Sequence, residues 1–480
     1  MTAEKLSAPA GSGREHDGHE RDDDRVHDFL RANEDRLVAQ LAEWVRIPSV
    51  AGSNRDPDLR RSAAWLAGAL RDTGFPRVEI WWAGEAPAVF AEWAVDRDAP
   101  TVLVYSHHDV RAVKEENWSE TAPFEPVVRA GRLYGRGSSD AKGQILAHLW
   151  GLRAHLAEHG APLVNLKFLV EGEEELGSPS FAGLLEEKAE EIAADLVVFS
   201  DTLLWRAGAP AICTSVRGMI SAHIEVYGPV KDIHSGAASG SAPNSALELS
   251  RLLASVLDSS GRIALPGFYD DARPIPDERR EELAALPFDE EDWLARSHTR
   301  KVGGESGYTV LEQLWLRPSV EVISMIAGDP VGPTRAAIPA VAAADISFRT
   351  VPGQRNDRVA EQIRRWAEER LPDTVEATVE VAEESAQLAY ETPRGPAVDA
   401  LDAAMRRGFR VSTVGRMGNA GGGPAELMAR MLKAPIVFFG TGYIEDDWHD
   451  SDESVHLPTL LDGAATLAFL WEELARALPD

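Results

Sequence analysis

At 480 residues the chain is too long for one hydrophobic core, so two domains are expected, and its 44% hydrophobic and 26% charged residues are those of a soluble globular protein. A formal net charge of −29 argues against nucleic acid, whose binding needs clustered Lys and Arg, and against docking on anionic membranes. The one cysteine, Cys213, rules out an intrachain disulfide and reads as a buried thiol; with no apolar leader and no run of about 18 apolar residues, the expected location is the cytoplasm.

Residues 1–24 are small, polar and charged, the composition of a disordered tail. A helical period begins near Val26 and runs through Phe29, Leu30, Leu37, Val38, Leu41 and Val45, and a second helix around 63–70 stops near Gly74. Strands are predicted over 78–81, 88–93 and 102–105, then a helix over 145–152. The segments 166–170, 196–199 and 436–439 are short Val/Leu/Ile/Phe runs of the kind that buried parallel strands show. From about 214 the texture changes. Segments 219–227, 343–349 and 374–381 alternate like strands with one wet face, 246–253 and 359–370 read as helices, and 266–300 is an excursion rich in Pro, Asp and Glu. The predicted fold class is α/β: a catalytic domain (25–213 and 386–480) with a mostly parallel central sheet flanked by helices, and a smaller α+β domain (214–385) inserted into it.

Four apolar runs share one layout, each being followed within a few residues by His, Asp or Glu. Segment 102–105 leads to His107 and Asp109, 166–170 to Glu173, Glu174 and Glu175, 196–199 to Asp201, and 436–439 to His449. Asp140 adds a carboxylate after a loop containing Gly131, Gly135 and Gly137. In open α/β sheets ligands bind beyond the carboxyl ends of the strands, and carboxylates gathered there repel one another unless a cation neutralises them. A metal centre resolves that conflict. The candidate ligands His107, Asp140, Glu175, Asp201 and His449 suggest two ions, and nitrogen and oxygen donors without thiolate suit Zn2+, and also Mn2+ or Co2+. His107 and Asp109, two residues apart on extended chain, point to the same side, which suits a ligand and the carboxylate that orients its ring; His108 points away. Of adjacent carboxylates such as Glu174 and Glu175, one can ligate metal while the other takes a proton from bound water. The structural alternatives are plain ones: Asp140 as a helix N-cap, and 173–175 as a solvated face.

These residues resemble the M20 family of dinuclear metallopeptidases, and most closely its carnosinase-like dipeptidase branch. The resemblance is carried by Tyr105-Ser106-His107-His108-Asp109-Val110, the segments 131–143 and 171–178, Ser200-Asp201-Thr202 and His449. Trp118, the segment 123–126, Asp232-Ile233-His234-Ser235-Gly236 and the segment 347–352 point to the branch, and the resemblance runs from about residue 28 to the C-terminus. It implies that Asp140 bridges two ions, with His107 and Asp201 completing one site and Glu175 and His449 the other. It further implies that Glu174 is the general base, that Asp109 orients His107, and that the Asp140–Ala141 peptide bond is cis. The inserted domain would be a lid that mediates a homodimer, with His234 reaching the partner's active site to steady the oxyanion. Arg349, with Gly422 and Gly423, falls at substrate-binding positions, the arginine taking a substrate carboxylate. Ser106, Ala336 and Gly423 stand where the family usually has Gly, Thr and Ser, while the metal set is intact. The expected function is hydrolysis of the amide bond of dipeptides or short peptides by a metal-bridging water activated by Glu174. The alternatives are an N-acyl-amino-acid deacylase with the same centre and, remotely, a non-catalytic binding module. The expected partners are a small peptide substrate and a second copy of the chain.

Overall fold

The computed structural model describes residues 16–52, 57–84, 86–206, 208–329, 332 and 335–478. A six-stranded sheet organises the larger part of the molecule, in the order Arg77–Ala83, Ala86–Trp93, Asn165–Glu171, Thr101–His107, Leu196–Phe199 and Ile436–Phe438. The last four strands are mutually parallel, and the first two form an antiparallel hairpin at one edge. The apolar runs follow from burial on both faces. Val102 and Val104 enter a core shared with the helices Lys142–His159, Pro396–Phe409 and Leu457–Ala477. Leu103, Tyr105 and Phe199 enter the opposite core, against Phe181, Ala425 and Met428. Each fully buried Val, Leu or Phe contributes roughly 1.5–3 kcal/mol, and a one-residue slip would exchange the two sets, so the register is strongly determined.

The helical period read from Val26 to Val45 is two helices, His16–Ala32 and Glu34–Val45, separated at Asn33. The disordered tail expected over 1–24 is corrected in part: residues 16–24 are helical, and 1–15 lie outside the described residues. Val26 and Leu30 are anchored in the core, and helix extension from an anchored turn adds a hydrogen bond per residue without a new nucleus. Ion pairs from Arg407 to Asp23 and from Arg410 to Asp24 then hold the polar turn against the body.

A second sheet holds four antiparallel strands in the order Ser319–Ala327, Val341–Thr350, Gly218–Tyr227 and Glu376–Val381. The helices Ser245–Ala254 and Asn356–Arg370 cover one face, which explains the strict alternation of buried and half-buried residues along Gly218–Tyr227. The excursion carries the helices Asp277–Ala284 and Glu290–Arg296, followed by Val310–Trp315. Its Leu283 and Leu286, with Leu311 and Trp315 beyond it, enter the core beside the six-stranded sheet, with Trp205 and Met417, while its Phe268 enters that of the second sheet. Among the described residues, no helix is long and apolar enough to cross a membrane.

Candidate metal centre

The carboxyl ends of the parallel strands open onto one spot. His107 is the last residue of its strand, Asp201 follows Phe199 by two residues, Glu175 lies in the 3-10 turn Glu174–Leu176, and His449 follows the turn Ile444–Asp446. Asp140 arrives from the loop before Lys142–His159. There Gly137, at φ 87°, turns the chain where a Cβ would stand 2.7 Å from Val110 Cγ1, and the Asp140–Ala141 peptide bond is cis. The helix that follows has Ala141 at its N-cap, so Asp140 is not consumed as a cap.

The side chain of Asp140 faces both ways. Its Oδ1 lies 3.1 Å from His107 Nε2, which is 3.9 Å from Asp201 Oδ1. Its Oδ2 lies 3.1 Å from His449 Nε2, which is 3.2 Å from Glu175 Oε2. Two donor sets result, His107–Asp140–Asp201 and Asp140–Glu175–His449, each with donor atoms within 4.8 Å of one another. All five candidate ligands named from the sequence are thereby side by side. The donor chemistry fits divalent cations, and Glu175 Oε2 is buried with no hydrogen-bond donor aligned on it.

Burial and the crowding of carboxylates and imidazoles set the electrostatics of the site. Burial and the neighbouring charge of Asp201 hold the Glu174 carboxyl well above the ordinary glutamate range, and burial pushes Asp201 up to about 7. The adjacent carboxylates of Asp140 and Glu175 raise His449 to about 10. Burial opposes a charge on His107, yet its bonds to Asp109 and Asp140 outweigh it and the ring is raised well above an ordinary imidazole. Burial likewise opposes ionisation of Asp140, but the two imidazoles hold its carboxyl far down. Carboxylates outnumber cations here, which is the condition a pair of metal ions satisfies.

Around the ligands, Asp109 is fully buried, with its carbonyl 3.1 Å and its carboxylate 3.3 Å from His107 Nδ1, and the carboxylate accepts amide hydrogen bonds from Glu174 and Glu175. His108 turns away to the Pro87 carbonyl, 2.9 Å from its Nε2. Glu173 and Glu175 are buried and Glu174 half-buried, so 173–175 is not a solvated face. Cys213 is a buried thiol pushed up to about 11 by that burial. Arg349 is half-buried on its strand and has no carboxylate partner among the described residues. At Gly422 a Cβ would stand 2.1 Å from Gln387 Oε1, and Gly423 packs on Phe199. His234 is exposed on the two-residue strand Ile233–His234, with Nδ1 3.1 Å from the Ala336 carbonyl, and it hydrogen-bonds none of the five ligands within the chain.

The sequence reading passed over three residues at this site. Arg217 is buried beside Arg349 and donates to the carbonyls of Ala420 and Arg317. Its signal was a lone charge between the apolar strands Ala211–Val216 and Gly218–Tyr227. Arg136 and Glu453 form a buried ion pair behind Asp140, yet each sits in a polar segment that reads as an ordinary solvated loop.

Residues 103–473 match the model of peptidase family M20/M25/M40. The chain belongs to this family. Among M20 relatives, it is 26% identical to the Beta-Ala-His dipeptidase of Homo sapiens over 94% of this chain and 93% of that protein. It is 30% identical to that of Rattus norvegicus over 72% and 73% of the two chains, and 27% identical to the cysteinylglycine-S-conjugate dipeptidase of Corynebacterium striatum over 91% and 94%. The crystal structure of human carnosine dipeptidase 1 superposes with a TM-score of 0.81 at 26% identity, covering 95% of this chain and 99% of that one. A di-peptidase of Saccharomyces cerevisiae shares the fold, with a TM-score of 0.82 at 21% identity over 95% and 99% of the chains. M20 membership makes the chain a peptidase and implies divalent metal, which the two donor sets fit.

Proposed function

We propose that this M20 peptidase hydrolyses the amide bond of dipeptides or short peptides at a pair of divalent cations that the two donor sets sharing Asp140 would hold. The observation that carries the reading is that the two oxygens of Asp140 face separate donor sets, one completed by His107 and Asp201 and the other by Glu175 and His449. When bound, the cations supply a polarised amide carbonyl and a water of lowered pKa. Glu174, half-buried in the turn that also carries Glu175, takes the proton of the attacking water and hands it to the leaving amine. Asp109 holds the His107 ring and the backbone of the turn that carries Glu174. Arg349, with no carboxylate of its own, offers its planar fork to a carboxylate of the substrate, beside the backbone of Gly422 and Gly423. Zn2+ is the preferred ion for such donors, with Mn2+ and Co2+ as competent substitutes. The dipeptide class is supported by identities of 26–30% to named dipeptidases.

The catalytic domain is 25–213 with 386–480, and 214–385 is a lid through which two copies pair. The two edges of the second sheet differ in a way that supports this. The Glu376–Val381 edge carries exposed Glu376 and Glu380, the usual protection against pairing, whereas the Ser319–Ala327 edge exposes Val322, Ile323, Met325 and Ile326 at 46%, 67%, 45% and 55%. A second copy on that edge also gives His234 a role, since its Nε2 has no partner among the described residues: it steadies the oxyanion in the partner's active site. The location is the cytoplasm.

The test is a substrate panel assayed with Zn2+, Mn2+ or Co2+ and again with chelator. Dipeptides turn over with higher kcat/KM than N-acyl amino acids, and chelation abolishes the activity. Turnover of N-acyl amino acids alone would replace the substrate class, and turnover of neither would leave a binding module.

A further inference from the structure

We infer that Glu453, paired with Arg136, is a positioning residue that sets the spacing between Asp140 and His449 and so tunes how the two donor sets hold metal. Glu453 is fully buried, and its carboxylate accepts four hydrogen bonds from one short stretch of chain. Oε1 accepts from the amides of Ser139 and Asp140, each at 3.0 Å. Oε2 accepts from the amide of Gly137 at 2.9 Å and from Arg136 Nη1 at 2.7 Å. The amide of the bridging aspartate is thus itself tied to Glu453. Arg136, 2% exposed, closes the link on the other side: its Nη2 donates to the carbonyl of Asp450, the residue after His449, at 2.8 Å, and its guanidinium stacks over Trp118.

The choice of a carboxylate has a physical reason. The loop that turns Asp140 inward points three backbone N–H groups into the protein, where water cannot satisfy them. A carboxylate alone among side chains offers two oxygens, each able to accept twice, and no donor to collide with those amides. Its charge is tolerable in the interior because Arg136 pairs with it. A second strap runs parallel, since Ser139 Oγ donates to Asp446 Oδ2 at 2.6 Å and receives the indole N–H of Trp448 at 2.8 Å, so both neighbours of the site are sewn together across the chain. The arrangement is specific in that it fixes the two ligands that share the second donor set, Asp140 and His449, relative to each other. This inference rests on the metal-centre reading above.

The experiment is a Co2+ titration of the metal-stripped, folded chain, read by visible absorption for ligand geometry and by stoichiometry for site number. Wild type takes up two Co2+. Glu453→Gln keeps the size but turns an NH2 towards one pair of amide donors. It is expected to bind Co2+ about 10–100-fold more weakly in at least one site, with an altered absorption band, while its circular dichroism stays native. Arg136→Lys keeps the charge and loses the fork that reaches Asp450, and weakens binding in the same direction by roughly tenfold. A folded Glu453→Gln chain with the wild-type isotherm and spectrum overturns the inference. If that variant does not fold, a wild-type isotherm for Arg136→Lys overturns it. Wild-type chain that binds no Co2+ overturns the metal centre itself, an outcome distinct from failure of the clamp alone.

Discussion

The carboxylate of Asp109 stands 3.3 Å from Nδ1 of His107, with both side chains fully buried, and the same carboxylate accepts the amide hydrogens of Glu174 and Glu175. Asp109 therefore orients a candidate ligand, its carbonyl 3.1 Å from the same Nδ1, and its carboxylate holds the turn that carries the candidate base. Asp109→Asn preserves volume but removes the charge that favours an Nδ1–H tautomer and a basic Nε2. We expect metal affinity or kcat/KM to fall by about 10–100-fold, measured by metal content after gel filtration and by steady-state kinetics. Wild-type values for both would remove Asp109 from the orienting role.

Glu174→Gln separates binding from chemistry. Glu174 is in neither donor set, so the variant should retain its metal content while kcat falls by about 100- to 10,000-fold. Near-normal turnover would exclude Glu174 as the base.

Dimerisation through the apolar edge strand is testable at Ile323, the residue at which the pairing register with Val341–Thr350 shifts, and which is 67% exposed. Ile323→Glu combined with Met325→Glu is expected to give a monomer by analytical ultracentrifugation, with activity lost because His234 is no longer delivered. Mixing inactive Glu174→Gln with inactive His234→Ala should restore turnover, because one site of each mixed dimer then has both groups. No recovery from demonstrated mixed dimers would confine His234 to its own chain.

Stability should decline on the acid side for a reason outside the metal centre. His148 is buried, and its Nε2 lies 2.6 Å from Ser200 Oγ; the hydroxyl donates onward to the Phe439 carbonyl, so Nε2 carries the proton of a neutral ring. Burial holds this imidazole down at about 3 against 6.5 in an unfolded chain. The unfolded state therefore binds a proton below pH 6.5 that the folded state refuses until about pH 3. The contribution is complete above pH 6.5 and is lost as pH falls through that window, at about 1.4 kcal/mol per pH unit. Burial lowers His108 and His155 to about 4, which acts in the same direction. His148→Gln, which keeps a donor for Ser200, should flatten the slope of unfolding free energy against pH by about one proton in denaturant titrations. An unchanged slope would mean that His148 is protonated in the fold.

The amino-acid order alone determined the strands of the six-stranded sheet and the identity of the five side chains that meet at their ends. Burial on both faces demands unbroken apolar runs, and a parallel sheet delivers whatever follows each run to the same edge, so His107, Glu175, Asp201 and His449 were legible without coordinates. Tertiary structure alone decided the rest. Asp23 and Asp24 are held in a helical turn by Arg407 of a distant helix and Arg410 at its C-cap, and Ser319–Ala327 went unread because its apolar residues face outward instead of alternating into a core. Glu453 meets the amide of Asp140 across 313 positions of sequence. Such a bond is set by how two loops pack, and a buried carboxylate between backbone amides has no local periodicity by which a sequence can announce it.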